Sequence, residues 1–213
     1  MVQASLHEFK KIAGKAIKKA KLVAFKRHES IWYVKHLPGQ NGLKKHDELK
    51  PGNGFSLYFN RLSDLIAWLK TNRSEYPWIY SPKEVETMHR YGHIVPFVEY
   101  NGKIIGYTKV ALNRIYIKDY GSFFSLAPNK AMFYDTTVVK EFRGKKIPYL
   151  LKLQIFDRLI EEGIEQIFAH IESWNLPSIK SNQRLGFSEI GTNRYLSILG
   201  YHNHSLDIKG LLG

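Results

Sequence analysis

Tyr134-Asp135-Thr136-Thr137 places a phenol, a carboxylate and two hydroxyls on four consecutive residues of a β-rich run. A few residues later comes Lys140-Glu141-Phe142-Arg143-Gly144-Lys145-Lys146-Ile147-Pro148, a basic, glycine-containing turn that leads into an amphipathic segment. A turn of that kind at a helix start is a physical anion site. Free backbone N–H groups point outward, the helix dipole adds positive character, and Arg143, Lys145 and Lys146 supply charge. Pro148 falls in the first helical turn, where its missing donor costs nothing. Alternation along the strand puts Tyr134 and Thr136 on one face and Asp135 and Thr137 on the other. Asp135 reads either as a proton acceptor or as a structural hydrogen-bond acceptor at a strand bend. Glu172 and His170, near the end of a later strand, are rivals for the first role, and His170 reads equally as a satisfied core histidine. His202 and His204 stand two apart with no third ligand in the sequence, so no metal site is expected.

The elements that must hold these residues follow from periodicity. Residues 131–139 read as a strand, 148–162 as a helix with Leu150, Leu151, Ile155, Leu159 and Ile160 inward, 167–171 as a strand, and 178–185 as a short helix before β-rich residues 187–198. Upstream, residues 55–59 read as a strand and 63–70 as a helix. Ser81 caps a second helix that opens with Pro82 and stops at Gly92. Asn101-Gly102 between residues 94–100 and 103–110 is the signal for a two-residue hairpin turn, with Pro96 marking an edge or bulge. Before all of these lie an amphipathic basic helix beginning near Ser5 and two β-rich runs, 22–26 and 31–37. The polar His28-Glu29-Ser30 between those runs suggests a hairpin. Residues 38–54 are rich in Gly, Pro, Asn, Lys and Asp and form the best boundary in the chain. The parallel β-α-β unit from residue 131 to 171 and the interior hairpin together predict a mixed α/β (α+β) domain.

The 213 residues suffice for one domain with an elaborated end, and 44% hydrophobic residues suffice for a core. Cysteine is absent, which excludes disulfides and thiolate zinc sites and fits a reducing cytoplasm. No apolar run is long enough to span a bilayer, and the first residues lead into lysines rather than an apolar signal core. Of the net charge of +13, residues 1–50 carry +8, from twelve Lys and Arg against four Asp and Glu. A field of that sign attracts polyanions, or is simply a solvated face.

Val138 followed five residues later by Arg143-Gly144, then a helix and a strand, resembles the pyrophosphate loop of the GNAT N-acetyltransferases. Asn175-Leu-Pro-Ser178-Ile-Lys-Ser-Asn-Gln-Arg-Leu-Gly186-Phe187 is similar to that family's second cofactor motif, with Asn, a small residue at +3 and Gly-Phe at +11 and +12. The resemblance is close over residues 131–190, holds in outline from residue 55, and does not cover residues 1–50. It implies a central mixed, mostly antiparallel sheet with a splayed parallel pair and helices on both faces. It divides the chain into a basic helix and β-hairpin extension at 1–53 and a GNAT-like acyltransferase domain at 54–213.

The resemblance further implies transfer of an acetyl or other acyl group from acyl-CoA to an amine by direct attack in a ternary complex. Backbone around Val138 and Val139 would pair with the pantetheine arm. Amides of Gly144, Lys145, Lys146 and Ile147, with Arg143, would hold the pyrophosphate, and Asn175, Ser178 and Asn182 would line the other side. Tyr134, Asp135 and Glu172 are the residues nearest the meeting point of acyl group and amine. The family pattern Arg/Gln-x-x-Gly-x-Gly/Ala falls on Arg143, Lys146 and Pro148, of which only the first matches. Many members place a tyrosine where Asn182 stands, to protonate the departing thiolate. An amide is no general acid at neutral pH, which leaves Tyr149 or solvent for that step. The acceptor side is expected in residues 71–93 and 111–130, with Tyr76, Tyr80, Tyr116, Tyr120, Ser122 and Asn129, a lining suited to a sugar or polar amine. Two other readings attach to the basic N-terminal segment. It docks an acidic carrier protein, or a catalytically weak GNAT scaffold uses it to bind nucleic acid or an anionic membrane. The sequence does not fix the oligomeric state.

Overall fold

The computed structural model describes residues 25–39, 54–59, 63, 66–67, 70, 82–198 and 201–213. The expected basic helix, most of the 38–54 loop, Tyr76, Tyr80 and the Ser81 cap lie outside them. In chain order the elements are β1 (Phe25–His36), β2 (Phe55–Tyr58), α1 (Pro82–Arg90), β3 (His93–Ile94), β4 (Phe97–Tyr100), β5 (Lys103–Ala111), β6 (Arg114–Ile117), β7 (Ser122–Ser125), β8 (Lys130–Val138), α2 (Ile147–Glu161), β9 (Gln166–Glu172), α3 (Leu176–Arg184), β10 (Ser188–Ile198), β11 (Tyr201–His204) and α4 (Lys209–Leu212). Among the described residues the main sheet runs β11-β10-β1-β9-β8-β5-β4-β2, with β3 beside β5. Every pairing is antiparallel except β8 with β9.

The hairpin expected around His28-Glu29-Ser30 is corrected: residues 25–36 form one uninterrupted strand. That strand pairs along β10 on one edge and β9 on the other, so it lies inside the sheet. The polar triplet is held as strand by the backbone ladders to β9 and β10, and the Glu29 carboxylate accepts from Arg194 Nε at 3.2 Å. The apolar half of β1 buries both faces, with Tyr33 in one core cluster and Trp32 and Val34 in the other. Continuous burial is what an interior strand demands.

The Asn101-Gly102 turn forms as expected, both residues taking positive φ (48° and 77°). Pro96 separates β3 from β4, and its carbonyl accepts from the Thr108 amide. On one sheet face α2 buries Ile147, Leu151, Ile155 and Leu159 against Ala131, Phe133, Ile167 and Ala169, joined by Ile179 and Leu185 around α3. Each of the Leu, Ile and Phe side chains contributes about 1.5–3 kcal/mol on burial. The opposite face is covered by the small β6–β7 sheet through Ile115 and Phe124, and by Ile208 and Leu212 at α4.

Candidate functional site

Two neighbours hold β8 and β9 apart. The parallel register runs from Lys130↔Gln166 to Phe133↔Ala169 and stops. Beyond it β8 stays on β5 as far as Gly106↔Val138, while β9 stays on β1 as far as Ser30↔Glu172. The strands diverge past Phe133, leaving a fork with Tyr134 to Val138 along one side and His170 to Glu172 along the other. An extended chain entering this fork meets backbone groups of β8 that have no partner on β9.

A bulge sits at the fork. Asp135 has φ 56°, and the β5–β8 register slips there, from Thr108↔Thr136 to Lys109↔Tyr134. The extra residue inverts the alternation expected for 134–137. Phe133 and Val138 fall in the same core cluster, and Thr136 hydrogen-bonds Thr108 on that α2-covered side, Oγ to Oγ at 2.6 Å. Tyr134 faces the opposite side, beside Lys109, whose ammonium lies 4.6 Å from its ring centroid. The Asp135 carboxylate is held by Lys109 Nζ at 2.9 Å. Burial draws Lys109 down to about 7, opposed by the Glu84 charge, and pushes Asp135 up, opposed by a hydrogen bond from Thr137.

Tyr134 meets a partner that sequence reasoning missed. Its hydroxyl contacts His93 Nδ1, and His93 Nε2 lies 2.6 Å from the Arg114 carbonyl. A carbonyl only accepts, so Nε2 carries the proton and Nδ1 is left to accept from the phenol. Burial, aided by the Lys109 charge, lowers the His93 pKa, and burial also keeps the Tyr134 phenol protonated. His93 stands in no motif; its only signal is its place just after the helix stop at Gly92. Around this pair a cavity of about 510 Å³ is lined by Glu84, Thr87 and Met88 of α1 and by Tyr91, Tyr116 and Phe123. The three aromatics are 38–50% exposed. Of the acceptor-side residues expected, Tyr116 lines this cavity. Tyr120 instead stacks on His204 at 3.8 Å, Asn129 donates to Glu165 at the closed end of the β8–β9 pair, and Ser122 opens β7.

The basic turn wraps the other end of β8. Its hydrogen bonds run from the Phe142 amide to Val139, from Arg143 to Lys140 and from Lys145 to Phe142. Gly144 (φ 78°) and Lys146 (φ 60°) both take the left-handed conformation. Among the described residues, the amides of Gly144, Lys146, Ile147 and Tyr149 have no backbone acceptor, as at any helix N-terminus. The Arg143 side chain folds back to donate from Nε to the Val138 carbonyl at 3.2 Å. Beside the turn, on the β5 side, is a cavity of about 570 Å³ lined by Lys103, Ile105, Thr137, Val138, Val139 and Arg143. Gly144 to Ile147 do not line it. Tyr149, half-buried, packs against the core under α2.

On the far side, Asn175 Oδ1 accepts from the Ser178 amide at 3.3 Å and so caps α3. Asn182 is 3% exposed; it donates to the Ser178 carbonyl and accepts from Lys152 Nζ at 3.0 Å. Glu172 ends β9, and its carbonyl accepts from the Asn175 amide. His170 stacks on Trp32 at 4.9 Å, 3.5 Å from Asp119, with its pKa lowered by burial. Among the described residues no cluster of three or more His, Asp or Glu side chains is placed to hold a metal ion. Among the same residues no helix is long and apolar enough to cross a membrane.

The model of the acetyltransferase (GNAT) family matches residues 65–187. No curated protein matches the chain in sequence. Among solved structures, a Drosophila protein superposes with a TM-score of 0.52 at 12% identity, over 87% of this chain and 57% of its own. A structure described as a GNAT-family acetyltransferase from Novosphingobium aromaticivorans gives 0.53 at 13% identity, over 82% and 66%. One from Salmonella typhimurium, solved with acetyl-CoA, gives 0.45 at 20% identity, over 64% and 80%. The chain thus spans less than two thirds of the length of the first two. At these identities the likeness is one of fold.

Proposed function

Because the chain belongs to the GNAT family of acetyltransferases, we propose that it transfers an acetyl or other acyl group from acyl-CoA to a primary amine. The observation that carries this reading is the fork between β8 and β9, which opens beside a helix N-terminus bearing outward amides. An extended arm ending in phosphates matches both features. The β8 edge at residues 134–138, beyond its pairing with β9, would take the pantetheine by strand-like hydrogen bonds. The amides of Gly144, Lys146 and Ile147, with Lys145 and Arg143, would take the phosphates. Pro148 withholds one amide, and Lys146 in the left-handed conformation does what a glycine would do there. Asn175 supports this side through the α3 cap rather than by a side chain aimed into the fork.

The acceptor enters on the opposite face of the sheet, through the aromatic-lined cavity under Tyr134. Tyr91, Tyr116 and Phe123 offer ring faces to the body of an amine-bearing small molecule or sugar, and Glu84 offers its ammonium a counter-charge. Nucleophilic attack requires loss of an ammonium proton. Tyr134 passes that proton to His93, accepting on its oxygen while donating to Nδ1, and the Arg114 carbonyl stabilises the resulting imidazolium. Asp135, engaged by Lys109, fixes the bulge that aims Tyr134. Glu172, at the end of β9 across the fork, is the second carboxylate beside it. The absence of cysteine suits the reducing cytoplasm as the place of action.

The test is thiol release from acetyl-CoA across a panel of primary amines, amino sugars included, with a thiol reagent as readout. The chain contains no cysteine, so the protein adds no background. Amine-dependent release is expected for at least one class; release that never exceeds the amine-free rate would sink the transferase reading.

A further inference from the structure

Lys152 is the charged group that this mechanism leaves unused. It lies in the second turn of α2, on the side turned to the sheet, and is 5% exposed. Among the described residues no carboxylate lies within 4 Å of its ammonium. Nζ donates instead to Asn182 Oδ1 at 3.0 Å and stands 5.3 Å from the centroid of the Phe133 ring. A buried cation with no counter-ion among the described residues is costly to desolvate, whereas a methionine of similar volume is not. A charge buried this way beside a cleft suits a site where an anion forms and leaves.

Its position says which anion. Phe133 is the last residue of β8 paired with β9, so Lys152 sits at the closed end of the fork. From the phosphate-binding turn next to Val138 back to Phe133 is five residues, or ~16 Å of strand. An arm anchored by its phosphates at the turn and laid along β8 brings its far end, the thioester sulfur, toward Phe133. Asn182 stands where many family members carry a tyrosine, and here it orients the lysine.

We propose that Lys152 is the proton donor to the departing coenzyme A thiolate, held in place by Asn182. The inference rests on the acyl-CoA reading above. As the amine nitrogen bonds to the carbonyl carbon and the C–S bond breaks, the electron pair goes to sulfur, which takes a proton from Lys152 Nζ. The nitrogen sheds two protons, one through Tyr134 and His93 to solvent before attack and one by the same route as the amide forms, and solvent resets His93 and Lys152. Burial alone lowers Lys152 to about 8, with no charged neighbour contributing. The ammonium is therefore present at neutral pH, yet acidic enough to give its proton to a thiolate.

The experiment measures ionisation of the thiol of bound coenzyme A by the ultraviolet absorbance of its thiolate, in wild type, Lys152→Met and Asn182→Ala. It needs neither the acceptor nor turnover. Wild type should lower the bound thiol's pKa by about one to three units relative to free coenzyme A. Lys152→Met should abolish the shift, Asn182→Ala should reduce it, and both should bind acetyl-CoA within a few-fold of wild type. Lys152→Met should also melt no lower than wild type. A wild-type complex whose thiol titrates at or above the free value overturns the proposal without recourse to any variant. So does a shift that survives in Lys152→Met. Failure of wild type to bind coenzyme A at all overturns the acyl-CoA reading and takes this proposal with it.

Discussion

Tyr134 was legible as a candidate because it sits on the strand beside a carboxylate and two hydroxyls. His93, which makes the phenol useful, was not, because forty-one residues separate them and only the β3–β5 and β5–β8 pairings bring them together. The relay predicts a sign. His93 accepts only when neutral, and burial lowers its pKa below 6.5, so kcat should fall as pH drops through a value under 6.5 and hold above it. Tyr134→Phe and His93→Gln should each lower kcat by about 10²-fold or more with little change in the KM for acetyl-CoA. The acid limb should vanish from the residual rate of His93→Gln. A limb that persists there would assign the proton to another group, with Glu172 first in line. Asn182 was legible only as a departure from a pattern. That it faces a buried lysine from another helix is a packing fact that no local spacing encodes.

At the scale of elements, the strand–turn–helix–strand from β8 to β9 could be read directly, since hydrophobic period and turn chemistry agree there. The bulge could not. Asp135 tolerates a left-handed backbone, but nothing in the sequence says that it must adopt one, and the inserted residue reverses the faces of 136 and 138. The continuity of β1 was also hidden, because His28-Glu29-Ser30 has turn composition and is strand only through pairing with β9 and β10. The basic turn proposed to hold the phosphates depends on Gly144 at φ 78° in open space, with nothing within 4 Å of where a Cβ would stand. Gly144→Val therefore meets backbone strain and no clash. It should cost about 1–2 kcal/mol of stability, read as a lower melting temperature. Acetyl-CoA affinity should fall about tenfold as the amides turn away. Unchanged affinity would mean that the phosphates bind elsewhere, the cavity beside Lys103 and Arg143 being the alternative.

For the whole molecule, the mixed sheet with one parallel pair is the architecture expected of the family, and residues 65–187 carry the match. The strand at 25–36 lies outside the matched residues and pairs with β9 from Ser30↔Glu172 to His36↔Gln166. Trp32 on that strand is fully buried and stacks on His170. Trp32→Ala should cost about 3–5 kcal/mol, and denaturant unfolding should show a single transition whose loss includes the fork. Two separated transitions would show that β1 belongs to an independent unit. The β6–β7 sheet that walls the aromatic-lined cavity could not be read for a different reason: two four-residue strands around a helical turn give too little period.

The fork and the turn exist, on this account, to hold an acyl-CoA, and calorimetric titration of acetyl-CoA into the full chain tests that most directly. Saturable binding at one site per chain is expected, with the folded state stabilised by about 2.7 kcal/mol at a free concentration one hundred times Kd. No heat of binding and an unmoved melting curve at millimolar acetyl-CoA would contradict it.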